Sequence, residues 1–160
     1  MLGEKVKKFL DDNKVRYTTM QHSVAYTAQE IAALAHIPGK ELAKTVIVRV
    51  DGELAMAVVP ASLQVDVERL KETVAAKDVR LAEESDFSAN FPDCERGAMP
   101  PFGNLYGMPV YVAEALAEDE EIAFNAGTHR DLIRMRYADF ERLVQPKKAK
   151  FSARAGAGAR

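Results

Sequence analysis

The sequence predicts a single α/β domain, built as a mixed central β-sheet or a partly closed barrel with surrounding helices. Segments with strand-like and helix-like patterns alternate along the chain, and a tight hairpin lies among them, which favours a mixed sheet over a purely parallel one. The 160 residues are 48% hydrophobic and 29% charged, which is ordinary for a globular protein. A chain of this size holds a core without disulfides or structural metals.

The hairpin is the strongest local pattern. Residues 43–50 and 53–59 are rich in β-branched and apolar side chains, and only Asp51-Gly52 separates them. An Asp-Gly pair suits a two-residue hairpin turn, in which both residues take positive φ. By the same criteria, further strands are predicted over residues 15–20, 79–82, 108–113, 121–125 and 132–136.

Helices are predicted where apolar residues recur at spacings of three and four behind a capping residue. Thr27 precedes Glu30 by three residues, which is the spacing of a capping box, and Asp66 is a good N-cap residue. These patterns predict helices over residues 4–13, from Thr27 to Pro38, directly after Asp66 and over residues 138–144. A helical turn is expected near residues 85–91.

Charge is distributed unevenly. The formal net charge is −2, but the last fifteen residues carry five basic residues and no acid, which leaves residues 1–145 near −7. Binding of long nucleic acid by a broad basic surface is therefore disfavoured, and any such contact must be local. We expect a domain over residues 1–145 and a basic, low-complexity tail over 146–160, which is more typical of a solvated, poorly ordered end than of an RNA-binding arm.

Several classes of protein are disfavoured. No apolar run is long enough to span a membrane, and the first residues do not resemble a signal peptide, so we expect a cytoplasmic protein with no membrane contact. Nucleotide-binding, nucleophile-elbow and metal-binding motifs are absent. The three histidines, His22, His36 and His129, are scattered, so we expect neither a metal nor a cofactor.

Lys44 is the first candidate for a functional residue. On the predicted strand 43–50 it lies on the same face as three valines, and this face is expected to point inward. Its ammonium either extends to water at the end of the strand or stands at the mouth of an apolar pocket. In the second case it would meet an anionic or carbonyl-bearing ligand.

The second feature is the loop 92–109, which contains four prolines and three glycines. Within it, Gly97-Ala98-Met99-Pro100-Pro101-Phe102-Gly103 combines stiffness with a residue free to adopt unusual backbone angles. In the interpretation that assigns it no function, this segment is a rigid surface turn. In the functional one, fixed amides stabilise the oxyanion of acyl transfer, at about 3 to 4 kcal/mol per donor.

Taken together, these residues resemble the YbaK and prolyl-tRNA-synthetase-associated editing domains. The resemblance runs from about Glu4 to Val144 and is sharpest at Lys44 and the glycine-to-proline loop. The matching residues, in chain order, are His22-Ser23, Thr27 and Glu30, Ala43-Lys44-Thr45, Pro60, Asp66, Gly97 to Gly103, and Asn125-Ala126-Gly127.

The resemblance implies a trans-editing deacylase that hydrolyses the ester between an amino acid and the terminal adenosine of tRNA, without a metal or a covalent intermediate. The edited residue would be a small amino acid, with tRNA-Pro as a candidate carrier and a synthetase as a further candidate partner. Lys44 would position the substrate, and the loop residues Gly97, Ala98 and Pro101 would hold the carbonyl through backbone amides. The resemblance assigns substrate contacts to His22, Val24, Thr27, Thr45, Met99, Gly127 and His129.

Other interpretations remain open from the sequence. The chain could be a non-catalytic module that binds tRNA ends or a synthetase, or an unrelated small-molecule binder. Cys94 could act as a nucleophile with His22 or His129 as its base. Asp93 and Glu95 disfavour a thiolate at that position, so a small packing residue is the better interpretation.

Overall fold

Strands and helices form one mixed α/β domain in the computed structural model, which describes residues 3–21 and 37–154. The strands in the described part are β1 (Tyr17–Gln21), β2 (Ala43–Val50), β3 (Glu53–Pro60), β4 (Gln64–Val65), β5 (Val79–Leu81), β6 (Val110–Ala113), β7 (Glu121–Asn125), β8 (Asp131–Arg136), β9 (Lys147–Ala149) and β10 (Ser152–Ala153). The helices there are α1 (Glu4–Asp12), α2 (Val67–Thr73), α3 (Glu84–Phe87), α4 (Glu114–Ala117) and α5 (Tyr137–Val144), with 3-10 turns at Ser88–Asn90 and Gly103–Leu105.

The central sheet is mixed, as predicted. Its strand order is β5-β2-β3-β6-β9, in which β2 runs antiparallel to β3 and β5, whereas β6 runs parallel to both β3 and β9. A second, antiparallel sheet has the order β1-β8-β7, and β4 pairs with β10. A bridge between Leu42 and Ala123 joins the two larger sheets, and among the described residues no strand pairing closes either sheet into a barrel.

The predicted hairpin is confirmed. Eight residue pairs connect β2 to β3, from Ala43 opposite Pro60 to Val50 opposite Glu53. Asp51 and Gly52 both have positive φ, at 51° and 86°, as a type I′ turn requires. The Asp51 carboxylate also accepts the backbone N–H groups of Lys77 and Asp78, at 2.8 and 2.9 Å, which attaches the turn to the chain entering β5.

The hairpin separates two apolar clusters. Ile47 packs with the larger cluster, in which the Phe102 ring contacts the rings of Phe124 and Phe140. Val48, one residue along the strand, packs with the smaller cluster, which contains Leu70 of α2. Because successive strand residues point to opposite faces, one hairpin organises both clusters.

Most predicted elements are confirmed, with boundaries shifted by one or two residues. Asp66 caps α2, since its side chain accepts the N–H of Arg69 at 3.0 Å. The short elements α4 and β4 were not predicted, because four and two residues are too few to show a periodic pattern. The helix predicted from Thr27 lies outside the described residues.

The expectation of a poorly ordered tail is wrong for residues 147–153. There, β9 extends the central sheet beside β6, and β10 pairs with β4. The Phe151 side chain is fully buried, and its carbonyl accepts the Asp66 N–H at 2.7 Å. Ala149 and Phe151 alternate with lysines at the two-residue period of a strand, a pattern that the basic, small-residue composition conceals.

We expect Phe151→Ala to destabilise the domain by about 3 to 5 kcal/mol, the cost of truncating a fully buried aromatic side chain. Urea denaturation followed by circular dichroism measures this. The exposed neighbour Lys150 provides the control, since Lys150→Ala should change stability by less than about 0.5 kcal/mol. Equal, small effects of both substitutions would show that the C-terminal strands do not belong to the folded core.

Candidate functional site

A cavity of about 330 Å³ lies beside the first half of β2. Its lining brings together residues far apart in sequence, among them Lys44, Thr45, Ile47, Gly97, Met99 and Asn125. Lys44 and the glycine-to-proline loop, the two features singled out in the sequence, therefore border the same space. The floor is apolar, since Ile47, Phe87 and Met99 are all buried.

Lys44 is half-buried and holds an ordered position. Its Nζ donates a hydrogen bond to the Leu63 carbonyl at 3.0 Å, in the segment that joins β3 to β4. Burial lowers the pKa of its ammonium from the ordinary lysine value. No carboxylate lies within ion-pair distance of this ammonium in the part of the chain described, so its positive charge is not neutralised by a salt bridge.

The loop is held in place by the turn that follows β7. Glu95 donates its N–H to the Gly127 carbonyl at 2.7 Å, and Gly127 donates its own N–H to the Ala98 carbonyl at 3.0 Å. Gly97 has φ of 81°, a left-handed conformation that glycine adopts without strain. The loop is thus fixed by backbone hydrogen bonds on both sides of Gly97.

The hydrogen bonds within the loop show which of its backbone N–H groups are already used and which could donate to a ligand. The Ala98 N–H already donates to the Glu95 carbonyl at 3.0 Å, and Pro100 and Pro101 have no N–H. Among the described residues, no backbone carbonyl accepts from the N–H of Gly97 or Met99. Gly97 and Met99 also line the cavity, so their amides are the candidate donors of this loop, whereas the Ala98 amide is already used and Pro101 has none.

His129 and Gly127 support the loop from behind and are not among the described residues that line the cavity. The His129 side chain is 8% exposed, its ring contacts Gly97, and its Nε2 is hydrogen-bonded to the Arg96 carbonyl. Its backbone N–H donates to the Glu95 carboxylate at 2.7 Å. The structure therefore gives these two predicted substrate contacts a supporting position.

Two polar side-chain atoms beside the cavity lack partners. Thr45 Oγ1 and Asn125 Oδ1 are buried, and within the described residues neither has a hydrogen-bond partner. A buried polar group without a partner costs about 1 to 3 kcal/mol, a cost that a bound ligand removes. Thr45 was among the predicted substrate contacts. Asn125 was not, although Asn125-Ala126-Gly127 belonged to the pattern that carried the resemblance.

Three further predicted substrate contacts, His22, Val24 and Thr27, lie outside the described residues. Among those that are described, no group of three or more His, Cys, Asp or Glu residues is placed to hold a metal ion. None of the described helices is both long and apolar enough to cross a membrane.

Cys94 belongs to the loop, and its surroundings suppress a thiolate. Its Sγ is 3.5 Å from Tyr106 Oη, which donates to the Asp93 carboxylate at 2.9 Å. Burial, reinforced by Asp93, raises the pKa of the thiol to about 11. One candidate base, His129, is hydrogen-bonded to Arg96 instead. This geometry argues against a cysteine nucleophile.

Comparison with known proteins identifies the class to which this fold and cavity belong. The profile of the aminoacyl-tRNA editing domain matches residues 22–143. Two relatives named multifunctional Ser/Thr-tRNA deacylase ProXp-y, from Escherichia coli strain K12 and Escherichia coli O157:H7, are each 29% identical over 128 residues, covering 74% of this chain and 75% of the relative.

Two solved structures share the fold. One is described as a proposed trans-editing enzyme for prolyl tRNA synthetase, with a TM-score of 0.80, 18% identity, and coverage of 94% of this chain and 96% of that chain. The other, a hypothetical protein, has a TM-score of 0.82, 21% identity, and coverage of 93% and 99%. The profile match spans most of the chain, so the chain belongs to the aminoacyl-tRNA editing domain family, and the resemblance seen in the sequence is confirmed.

The setting of Cys94 is testable by alkylation. With a pKa near 11 the native thiol carries about 100-fold less thiolate at pH 8 than a thiol of pKa 9, so iodoacetamide should react far more slowly with native than with urea-unfolded protein. The native rate should keep rising up to about pH 11, whereas the unfolded rate should level near pH 9. A native rate equal to the unfolded one would contradict this environment.

The conformation of Gly97 is testable by substitution. In Gly97→Ala the new Cβ would lie 3.6 Å from His129 Cε1, an ordinary contact, so the cost comes from the positive φ and should be about 1 to 2 kcal/mol. Gly39→Ala is the control, because Gly39 does not have a positive φ. Denaturant unfolding measures both variants, and no loss of stability in Gly97→Ala would mean that the loop lacks the left-handed turn.

Proposed function

We propose that the protein is a trans-editing aminoacyl-tRNA deacylase, which hydrolyses the ester of a mischarged tRNA. Membership of the editing family supports the class of reaction. The observation that carries the proposal is the shared cavity, where the Lys44 strand meets the Gly97–Met99 segment of a rigid loop. A cation and two amides beside one small space suit a carbonyl that becomes an oxyanion.

The reaction needs little from the protein beyond positioning. An aminoacyl ester is already activated, so orienting a water molecule and stabilising the tetrahedral oxyanion account for most of the rate enhancement. In our proposal Lys44 positions the substrate, while the amides of Gly97 and Met99 point at the scissile carbonyl oxygen. The Leu63 carbonyl keeps the ammonium in place before the substrate binds.

We propose a small, hydroxyl-bearing amino acid as the group removed. The cavity volume of about 330 Å³ also has to hold part of the terminal ribose, which favours a small side chain. Thr45 Oγ1 and Asn125 Oδ1 would both gain a partner from a substrate hydroxyl or ammonium, and unpaired buried groups penalise substrates that lack one. The two Escherichia coli relatives are named Ser/Thr-tRNA deacylases.

The carrier tRNA and the partners follow from the same proposal. tRNA-Pro remains a candidate, since one structural relative is described as a proposed trans-editing enzyme for prolyl tRNA synthetase. Aminoacyl-tRNA is the partner at the cavity, and a synthetase is a further candidate. We place the reaction in the cytoplasm, where mischarged tRNA would otherwise reach the ribosome.

The direct test is a panel of mischarged tRNAs. The purified protein should release amino acid from at least one of them, with serine or threonine esters favoured over alanine. Lys44→Gln should lower the hydrolysis rate about 100-fold or more, because it removes the only positive charge that the described residues place on the cavity lining. Radiolabelled amino acid release measures the rate.

Matched controls separate this proposal from the alternatives. Lys40→Gln removes an exposed lysine near β2 and should leave the rate unchanged, and so should Cys94→Ser. Loss of activity in folded Cys94→Ser would restore the thiol mechanism. Binding of the tRNA panel without hydrolysis of any member would show a non-catalytic module instead.

A further inference from the structure

The C-terminal segment Lys147–Arg154 carries exposed cations that the described acidic groups do not neutralise. It lies beyond the residues that match the family profile, which end at 143. Lys148 pairs with Glu141 at 3.1 Å, but Lys147, Lys150 and Arg154 have no ion-pair partner among the described residues, and all three are exposed. Residues 1–145 are near −7, so this concentration of free positive charge is unusual for the chain.

The segment is also ordered. Phe151 is fully buried and its carbonyl accepts the Asp66 N–H, while β9 and β10 pair with β6 and β4. Order matters for binding, because cations on a fixed backbone do not lose the conformational freedom that a disordered arm loses on binding.

The register of β10 places Arg154 near the cavity. Ser152 lies opposite Val65, and the pairing ends at Ala153 opposite Gln64, so Arg154 directly follows β10 and Leu63 directly precedes β4. Opposed residues of an antiparallel pair have Cα atoms about 5 Å apart. The Leu63 carbonyl accepts the hydrogen bond from Lys44 Nζ, and Lys44 lines the cavity, so the end of β10 that carries Arg154 is the end nearer this lysine.

A substrate esterified at the end of an RNA strand brings phosphates to this rim. The acyl group and terminal ribose enter the cavity, and the preceding nucleotides must pass over its edge. Each phosphate carries a negative charge. When a cationic side chain binds a phosphate of a single strand, counterions are released from the nucleic acid. Residues 1–145 carry a net charge near −7, so a few exposed cations at one edge would give the substrate a local positive contact.

We propose that Arg154, together with Lys150, binds backbone phosphates of the single-stranded 3′ end of the tRNA substrate. The inference rests on the proposed function, because it takes the cavity beside Lys44 as the place where the ester is held. It assigns the C-terminal strands a binding role in addition to their packing role. The partner is recognised by phosphate charge, so the contact is independent of base sequence.

The test compares substrates with and without phosphates. The double variant Lys150→Gln with Arg154→Gln should lower kcat/KM for mischarged tRNA several-fold, mainly through KM, and leave hydrolysis of the matching aminoacyl-adenosine unchanged. The slope of log(kcat/KM) against log salt concentration should become shallower by about 0.7 for each phosphate that the variant no longer neutralises. The control double variant, Lys14→Gln with Arg16→Gln, removes the same charge from two exposed residues that do not line the cavity, and it should match wild type.

The outcomes separate this inference from the proposed function. Equal kcat/KM and salt slope for the two double variants on tRNA would overturn it, and so would equal losses on tRNA and aminoacyl-adenosine. If the wild-type protein hydrolysed neither substrate, the proposed function would fail. Filter binding of uncharged tRNA would then still test the phosphate contact, since the Lys150/Arg154 variant should bind more weakly and with a smaller salt slope than the control.

Discussion

The fixed position of the Lys44 ammonium is the constraint on which the account of this site depends. A half-buried lysine without an acidic partner is costly to desolvate, and its lowered pKa reflects that cost. Two features hold it there: the register of the hairpin, which places Lys44 opposite Val59, and the Leu63 carbonyl 3.0 Å from Nζ. Because a slip of one residue would move every β2 side chain to the opposite face, the Asp51-Gly52 turn at the far end of the hairpin also sets the site.

The second wall of the cavity depends on backbone hydrogen bonds. The turn at Gly127 both donates to and accepts from the loop, and His129 packs behind Gly97. These contacts hold the loop backbone around Gly97 in place before a ligand arrives, so a ligand that binds there does not have to order it. Pro100 and Pro101 add stiffness and remove donors that would compete.

The sequence predicted those parts of the fold that local chemistry determines. The hairpin, the cap at Asp66 and the amphipathic helix α1 each follow from a few neighbouring residues, and all three are confirmed. The strands β9 and β10 could not be predicted in this way, because their order depends on Phe151 reaching a cluster built from distant elements. Phe151 is the one aromatic residue in a segment rich in lysine, alanine and glycine, so the composition of the segment does not predict a buried strand.

The same distinction applies to the candidate site. Lys44 and Gly97 stand out by residue type and surroundings, and the structure brings both to one cavity. The engagement of the Ala98 amide, the supporting position of His129 and the unpaired oxygen of Asn125 all depend on contacts across the fold. No spacing in the sequence contains that information, although Asn125 was visible as part of the Asn-Ala-Gly triplet without a role of its own.

The most direct measurement of the central claim is a crystal structure with a non-hydrolysable seryl-adenosine analogue, in which an amide replaces the ester. Our account predicts that its acyl carbonyl lies within hydrogen-bond distance of the Gly97 or Met99 N–H and that the adenosine end passes Lys44. Binding of the analogue in the open groove lined by residues of β1 and β8, away from Lys44, would contradict it.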